Sequence, residues 1–147
     1  DEYMIYQAKA MGASAVLLIC SVLDDGELSA YHQLAAELGL SALVEAHTAE
    51  EIERAQRAGA VIIGVNNRNL KDFTVDIGRS VELRRLVDKD TVFVSESGIR
   101  GPEDMRALYE NGTDAVLIGE MLMRAKDRSE ALRSLREAVA EGGSVPW

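Results

Sequence analysis

The stretch Ala58-Gly59-Ala60-Val61-Ile62-Ile63-Gly64-Val65-Asn66-Asn67-Arg68-Asn69 carries the plan of the whole chain in one phrase. A helical pattern ends on a glycine, an uncharged aliphatic run follows, and the run closes on polar groups. Glycine just past a helix end accepts the left-handed backbone that terminates the helix. A short, continuous aliphatic run is the pattern of a strand buried on both faces. The phrase returns at Met11-Gly12 before AVLLIC (15–20), at Leu38-Gly39 before ALVEA (42–46) and at Asn111-Gly112 before AVLIG (115–119). TVFVSES (91–97) is a fifth run, entered through Asp88-Lys89-Asp90 instead of a glycine.

Amphipathic helical patterns fill the intervals. The reading predicts helices near 3–11, 26–38, 48–58, 77–87, 102–111 and 129–141, and strands near 15–20, 42–46, 61–66, 91–95 and 115–119. Thr48 to Glu51 fits a capping box, with Thr48 as N-cap and Glu51 reaching back to it. Gly101-Pro102-Glu103-Asp104 places proline at the first helical position and carboxylates in the first turn. Strict alternation of helix and strand argues for parallel βαβ units with right-handed crossovers.

Two closures fit that alternation, an open doubly wound sheet and part of a (β/α)8 barrel. A complete barrel needs eight strands over about 250 residues, and 147 residues with five strands exclude it. The opening DEYMIYQAKAMGA starts inside a helical pattern with neither a capping residue nor a strand before it. The expectation is one domain over 1–147, a piece of something larger.

The charge balance is 16 Lys+Arg against 25 Asp+Glu, a formal net charge of −9, with 47% hydrophobic residues. That is the composition of a globular domain, and without a Lys/Arg-rich run it disfavours nucleic-acid and anionic-membrane partners. The longest apolar run, 15–20, falls far short of the roughly 20 residues of a membrane helix. With no basic-then-apolar leader, a cytoplasmic setting is expected. One cysteine and two separated histidines give neither a disulfide framework nor a metal cluster. No P-loop or dinucleotide fingerprint occurs.

Ligands of parallel α/β folds bind at the carboxyl ends of the strands. Those ends read Cys20-Ser21, Glu45 with His47, Asn66-Asn67-Arg68, Glu96-Ser97-Gly98 and Gly119-Glu120. Glu45 interrupts an apolar strand, and a buried carboxylate requires a partner or a raised pKa. It reads either as a structural ion pair or as a general acid or base. Glu96 repeats the pattern, against a plain strand-ending reading. Asn66 and Arg68 offer an amide and a fixed cation, or merely a turn. Small residues at Ser97-Gly98 and Gly119 let backbone N–H groups approach an anion, or serve tight turns. Cys20 reads as a small buried apolar residue, and His32 as packed or solvated. His47 reads as a cap for the next helix before a ligand-orienting group, and Glu50-Glu51-Glu53 as solvated surface.

Taken in order, LLIC (17–20), LVEAH (43–47), IIGVNNRNL (62–70), VSESGI (94–99) and VLIGEMLM (116–123) resemble indole-3-glycerol phosphate synthase. The resemblance covers essentially the whole chain but only strands four to eight of the family's barrel. It implies a partial (β/α)8 barrel, five βα units with a preceding helix. It also implies a lyase of tryptophan biosynthesis that works without metal or organic cofactor on a small phosphorylated substrate. That substrate is 1-(2-carboxyphenylamino)-1-deoxyribulose 5-phosphate, which loses CO₂ and water as the indole ring closes. By the same resemblance, Glu45, Asn66 and Glu96 are catalytic, and Leu17, Arg68 and Ser97 bind substrate, Leu17 beneath its aromatic ring. Gly98, Gly119 and Glu120 meet the phosphate. Glu120 stands where many members have serine, so only its backbone N–H carries over, and its carboxylate must turn away from the anion.

The departure from the family is larger than any substitution. The family's catalytic lysines lie on strands outside this chain's five, and Lys9, Lys71, Lys89 and Lys126 align with none of them. The chain alone is therefore expected to be inactive, and to self-associate or pair with the missing N-terminal strands. Two alternatives remain open at this point: a non-catalytic half-barrel, and another phosphate-binding barrel enzyme such as an isomerase of the same pathway.

Overall fold

Gly12, Gly39, Gly59 and Gly112 all adopt the left-handed backbone, with φ between 65° and 85°, and each hands a helix on to a strand as the repeated phrase requires. The computed structural model describes residues 1–69 and 72–140. Strands β1 (Ala15–Ile19), β2 (Ser41–Ala46), β3 (Ile62–Asn66), β4 (Val92–Glu96) and β5 (Ala115–Leu117) form one parallel sheet in sequential order. The helices are α1 (Glu2–Ala10), α2 (Asp25–Glu37), α3 (Ala49–Arg57), α4 (Gly78–Leu83), α5 (Pro102–Glu110), α6 (Glu120–Arg124) and α7 (Arg128–Ala140). A doubly wound sheet reverses its strand order at a switch point. This one never reverses, so the sheet is five consecutive units of a barrel wall.

Alternation along the strands separates two faces. Leu18, Val44, Ile63, Val65 and Phe93 point outward and are buried in the main core. A smaller cluster around Ile99, Leu108 and Leu135 closes the β5 end. On the other face the register sets Glu45 beside Gly64 and Gly64 beside Val94, while Asn66 pairs with Glu96 and Glu96 with Leu117. This is the face a barrel turns inward. Here Leu17 and Leu117 remain 49% and 50% exposed. No helix among the described residues is long and apolar enough to cross a membrane.

Several local expectations change. The first helix is not uncapped, because the Asp1 carboxylate accepts the Met4 N–H at 3.1 Å. Thr48 does cap α3, accepting the Glu51 N–H at 3.2 Å. The Glu51 carboxylate, however, passes over Thr48 and accepts the His47 N–H at 2.6 Å. The cap role considered for His47 therefore falls to Thr48, and Glu51 is packed inward where solvated surface was expected. A full capping box forms instead at Asp24 and Glu27. The helix predicted at 77–87 is α4 followed by a 3-10 turn at Arg84–Leu86. The strand predicted to reach Gly119 stops at Leu117, and α6 takes the residues after it. The predicted helix end at 141, together with Leu70 and Lys71, lies outside the described residues.

Candidate active site

Glu45 is the last residue but one of β2 and Glu96 closes β4, and each is only 4% exposed. Parallel register brings both to the same mouth from opposite sides of β3. Asn66, at the end of that strand, donates from Nδ2 to Glu45 Oε2 at 3.3 Å, and its Oδ1 accepts the Arg68 N–H at 3.0 Å. Its rotamer is thus fixed at both ends. His47 Nε2 lies 3.6 Å from Glu45 Oε1, with its Nδ1 3.6 Å from Glu51 Oε2. Glu45 therefore has the partner its burial required.

The Glu96 carboxyl has a raised affinity for a proton. Burial first, then the charge of Glu45 and a hydrogen bond to it, push Glu96 up to about 7. Its Oε1 has no hydrogen-bond partner among the described residues. Two carboxyl groups so placed hold a proton near neutral pH, as like charges in one low-dielectric pocket must. The pair is chemically an acid–base device.

This coupling also makes stability depend on pH. The folded value of about 7 stands above the ordinary 4.5, so the unfolded chain releases this proton first. The stabilising contribution is complete below about 4.5 and is lost as pH rises through 7. Glu96→Gln is expected to flatten that decline, by on the order of 2 kcal/mol between pH 4.5 and 8. Urea midpoints of both proteins across that range check it, and equal pH slopes would remove the raised value.

The anion side of the mouth lies beyond β4. Ser97 and Gly98 both take positive φ, 65° and 79°. A Cβ at position 98 would stand 2.3 Å from Val75 Cγ1, so glycine is required there for close approach as well as for conformation. One expectation is corrected here: the Ser97 N–H donates to Leu117 O at 3.2 Å and belongs to the sheet. That leaves the Ser97 hydroxyl, and the Gly98, Gly119 and Glu120 amides, as the candidate anion contacts. These residues line a cavity of about 720 Å³ with Arg68 and Arg124. The Glu120 carboxylate is held by Arg68 at 2.7 Å and Arg124 at 3.0 Å, and Arg68 foremost lowers its proton affinity. Glu120 is thus tied up by two guanidinium groups, and Arg68 starts from an ion pair.

Three fully buried side chains that the sequence reading gave no role support this corner. Asn67 Nδ2 donates to Ser95 Oγ and to Ser97 O, both at 3.0 Å. Its Oδ1 accepts from the Ser80 N–H at 3.1 Å and from Ser80 Oγ at 2.8 Å. The strained turn at Ser97 is therefore fastened to β3, β4 and α4 at once. The available signal was a polar Asn67 directly after an apolar strand. Arg54 was also missed: its guanidinium donates to the Cys20 and Leu23 carbonyls at 2.9 and 2.6 Å, closing the loop after β1. Cys20 is buried as expected, and burial pushes its thiol up to about 11. Leu17 stands on β1 level with Leu43, two residues before Glu45 along β2.

Comparison with known proteins meets this geometry from the other side. The family model of indole-3-glycerol phosphate synthase matches residues 1–135. The indole-3-glycerol phosphate synthase of Leuconostoc mesenteroides is 52% identical over 136 residues, which are 92% of this chain and 52% of that protein. That of Ruminiclostridium cellulolyticum is 54% identical over 136 residues, 92% of this chain and 52% of the relative. The chain spans about half the length of the curated relatives it matches. Among solved structures, 3-hexulose-6-phosphate synthase from Salmonella typhimurium superposes with a TM-score of 0.82 at 17% identity, covering 97% of this chain and 69% of that one. Thiamine phosphate pyrophosphorylase from Pyrococcus furiosus gives 0.74 at 22%, covering 93% and 64%. At those identities the likeness speaks for the barrel fold alone.

Proposed function

Since the chain belongs to the indole-3-glycerol phosphate synthase family, we propose that it carries the C-terminal half of that family's active site, acting in the cytoplasm. The observation that carries this reading is the convergence of Glu45, Glu96 and Asn66 on one mouth. Ring closure of 1-(2-carboxyphenylamino)-1-deoxyribulose 5-phosphate needs protons moved as CO₂ and water leave. Glu96, protonated near neutral pH, is the acid in waiting, and Glu45 is the nearby acceptor and donor for the later steps. Asn66 fixes Glu45 and offers its remaining hydrogen-bonding capacity to the substrate.

Binding is divided along the same mouth. Leu17 offers an apolar surface to the aromatic ring, and Ser97 its hydroxyl. Arg68 exchanges Glu120 for an anionic group of the substrate, because a guanidinium pairs with carboxylate and phosphate by the same planar fork. Phosphate is assigned to the amides of Gly98, Gly119 and Glu120.

By the family resemblance, activating the ketose carbonyl is the work of lysines that these strand ends lack. Lys9 sits on α1, and Lys89 and Lys126 lie in loops; Lys71 is outside the described residues. The 147-residue chain alone is therefore expected to show no turnover above background.

The phosphate assignment is tested by titrating inorganic phosphate into the isotope-labelled chain and following the amide resonances. Shifts at Gly98, Gly119 and Glu120 are expected, with Ser97 N–H moving less because it stays in the sheet. Shifts confined to other residues would remove the assignment.

A further inference from the structure

Gly64 sits in the middle of β3, where a glycine needs a reason. Its neighbours Ile63 and Val65 are fully buried, and a strand-interior glycine weakens the strand because it packs nothing. It is also the one inward-facing position between Glu45 on β2 and Val94 on β4. A Cβ there would lie 1.8 Å from Glu96 Oε1, 2.9 Å from Glu96 Cδ and 3.1 Å from Leu43 Cδ1. The space a side chain would fill is already taken by the Glu96 carboxyl.

We infer that Gly64 is the positioning residue of the carboxyl pair, its missing side chain leaving the hollow in which Glu96 lies down beside Glu45. It touches no reacting atom and acts only through Glu96. For its bearing on the reaction, the inference rests on the active-site reading above. The mechanism is steric. Glu96 leaves β4 pointing inward, and with any side chain at 64 its carboxyl must swing away from the sheet toward the open mouth. There it loses both the burial and the nearness to Glu45 that hold its proton. The other ionisable groups around the pair do not reproduce this effect. His47 stands on the far side of Glu45 with Glu51 behind it, and the Arg68 guanidinium is turned to Glu120.

The closest contacts of that Cβ belong to the end of a flexible side chain, and the Leu43 contact asks only a few tenths of an ångström. Gly64→Ala should therefore fold while displacing the carboxyl. The test follows the glutamate side-chain carboxyl carbons by NMR in the 147-residue chain from pH 3 to 9. In the unaltered chain one glutamate, identified by its loss in Glu96→Gln, is expected to titrate near 7. In Gly64→Ala it is expected to return to the ordinary range near 4.5, whereas Gly101→Ala, with nothing within 4 Å of its Cβ, leaves it in place. A glutamate still titrating near 7 in folded Gly64→Ala overturns the inference. Should Gly64→Ala not fold, Glu96→Asp decides: one methylene shorter, its carboxyl withdraws from the hollow and should titrate in the ordinary range, and a value near 7 overturns the inference. In a barrel completed with a relative's N-terminal half, Gly64→Ala should lower kcat by at least tenfold and leave KM within about threefold. A moved titration with unchanged kcat would sink the active-site reading and leave the positioning role standing.

Discussion

Glu45→Gln, introduced into a barrel completed by the N-terminal half of a curated relative, is expected to lower kcat about 10²-fold or more, the usual contribution of one general acid–base group. The substitution keeps the side chain's volume and its hydrogen bond with Asn66, made at 3.3 Å in the unaltered chain, so the loss should not come from collapse of the mouth. It removes only the capacity to take and return a proton. Glu96→Gln should act differently with pH, since its loss removes the group poised near 7. The alkaline fall of the wild-type profile should then flatten while the Glu45→Gln profile stays low throughout. A wild-type kcat in Glu45→Gln would take that residue off the catalytic list.

The second large effect concerns assembly. By itself the 147-residue chain is expected to self-associate in light scattering, at a mass that is a multiple of 16.0 kDa. Among the described residues β1 pairs only with β2, and β5 only with β4, so each presents there one row of backbone groups without a strand partner. Neither strand carries a charge or proline, the devices by which natural edge strands resist association. The inward face adds the apolar surface of Leu17 and Leu117, both about half exposed. At about 25 cal/mol per Å², burying even a few hundred Å² there is worth several kcal/mol, against a typical total stability of 5–15 kcal/mol. We propose that the N-terminal strands of the family's barrel cover this face, and that a second copy substitutes when they are withheld. A monodisperse 16.0 kDa species unfolding cooperatively would show that the face needs no cover.

The parts of this fold legible in the sequence were those fixed by neighbours in the chain. The glycine that ends a helix and the aliphatic run after it are local chemistry, and all four such junctions adopt the left-handed backbone. The strand ends followed, and with them Glu45, Asn66 and Glu96, because a carboxylate inside an apolar run is conspicuous wherever it occurs. What escaped depends on partners far along the chain. The Arg68–Glu120 pair joins residues 52 apart, and nothing local in either says that it forms. The Ser97 amide looked available until the register of β4 against β5 assigned it to Leu117. Glu51 looked like one more acid on a charged helix face, because its inward turn depends on where His47 leaves β2. Gly64 passed unremarked inside the very stretch that decided the fold. A glycine declares what is missing at its own position, and only the structure shows what fills the gap.

Turnover of 1-(2-carboxyphenylamino)-1-deoxyribulose 5-phosphate, followed by indole fluorescence, tests the central claim most directly when the chain is assayed alone and then with a relative's N-terminal half supplied in trans. No turnover above background is expected from the chain by itself, and indole formation on addition of the missing half, abolished when Glu45 and Glu96 are both replaced by glutamine. Turnover by the chain alone, or turnover in the mixture that survives both replacements, would contradict the assignment of half an active site to these residues.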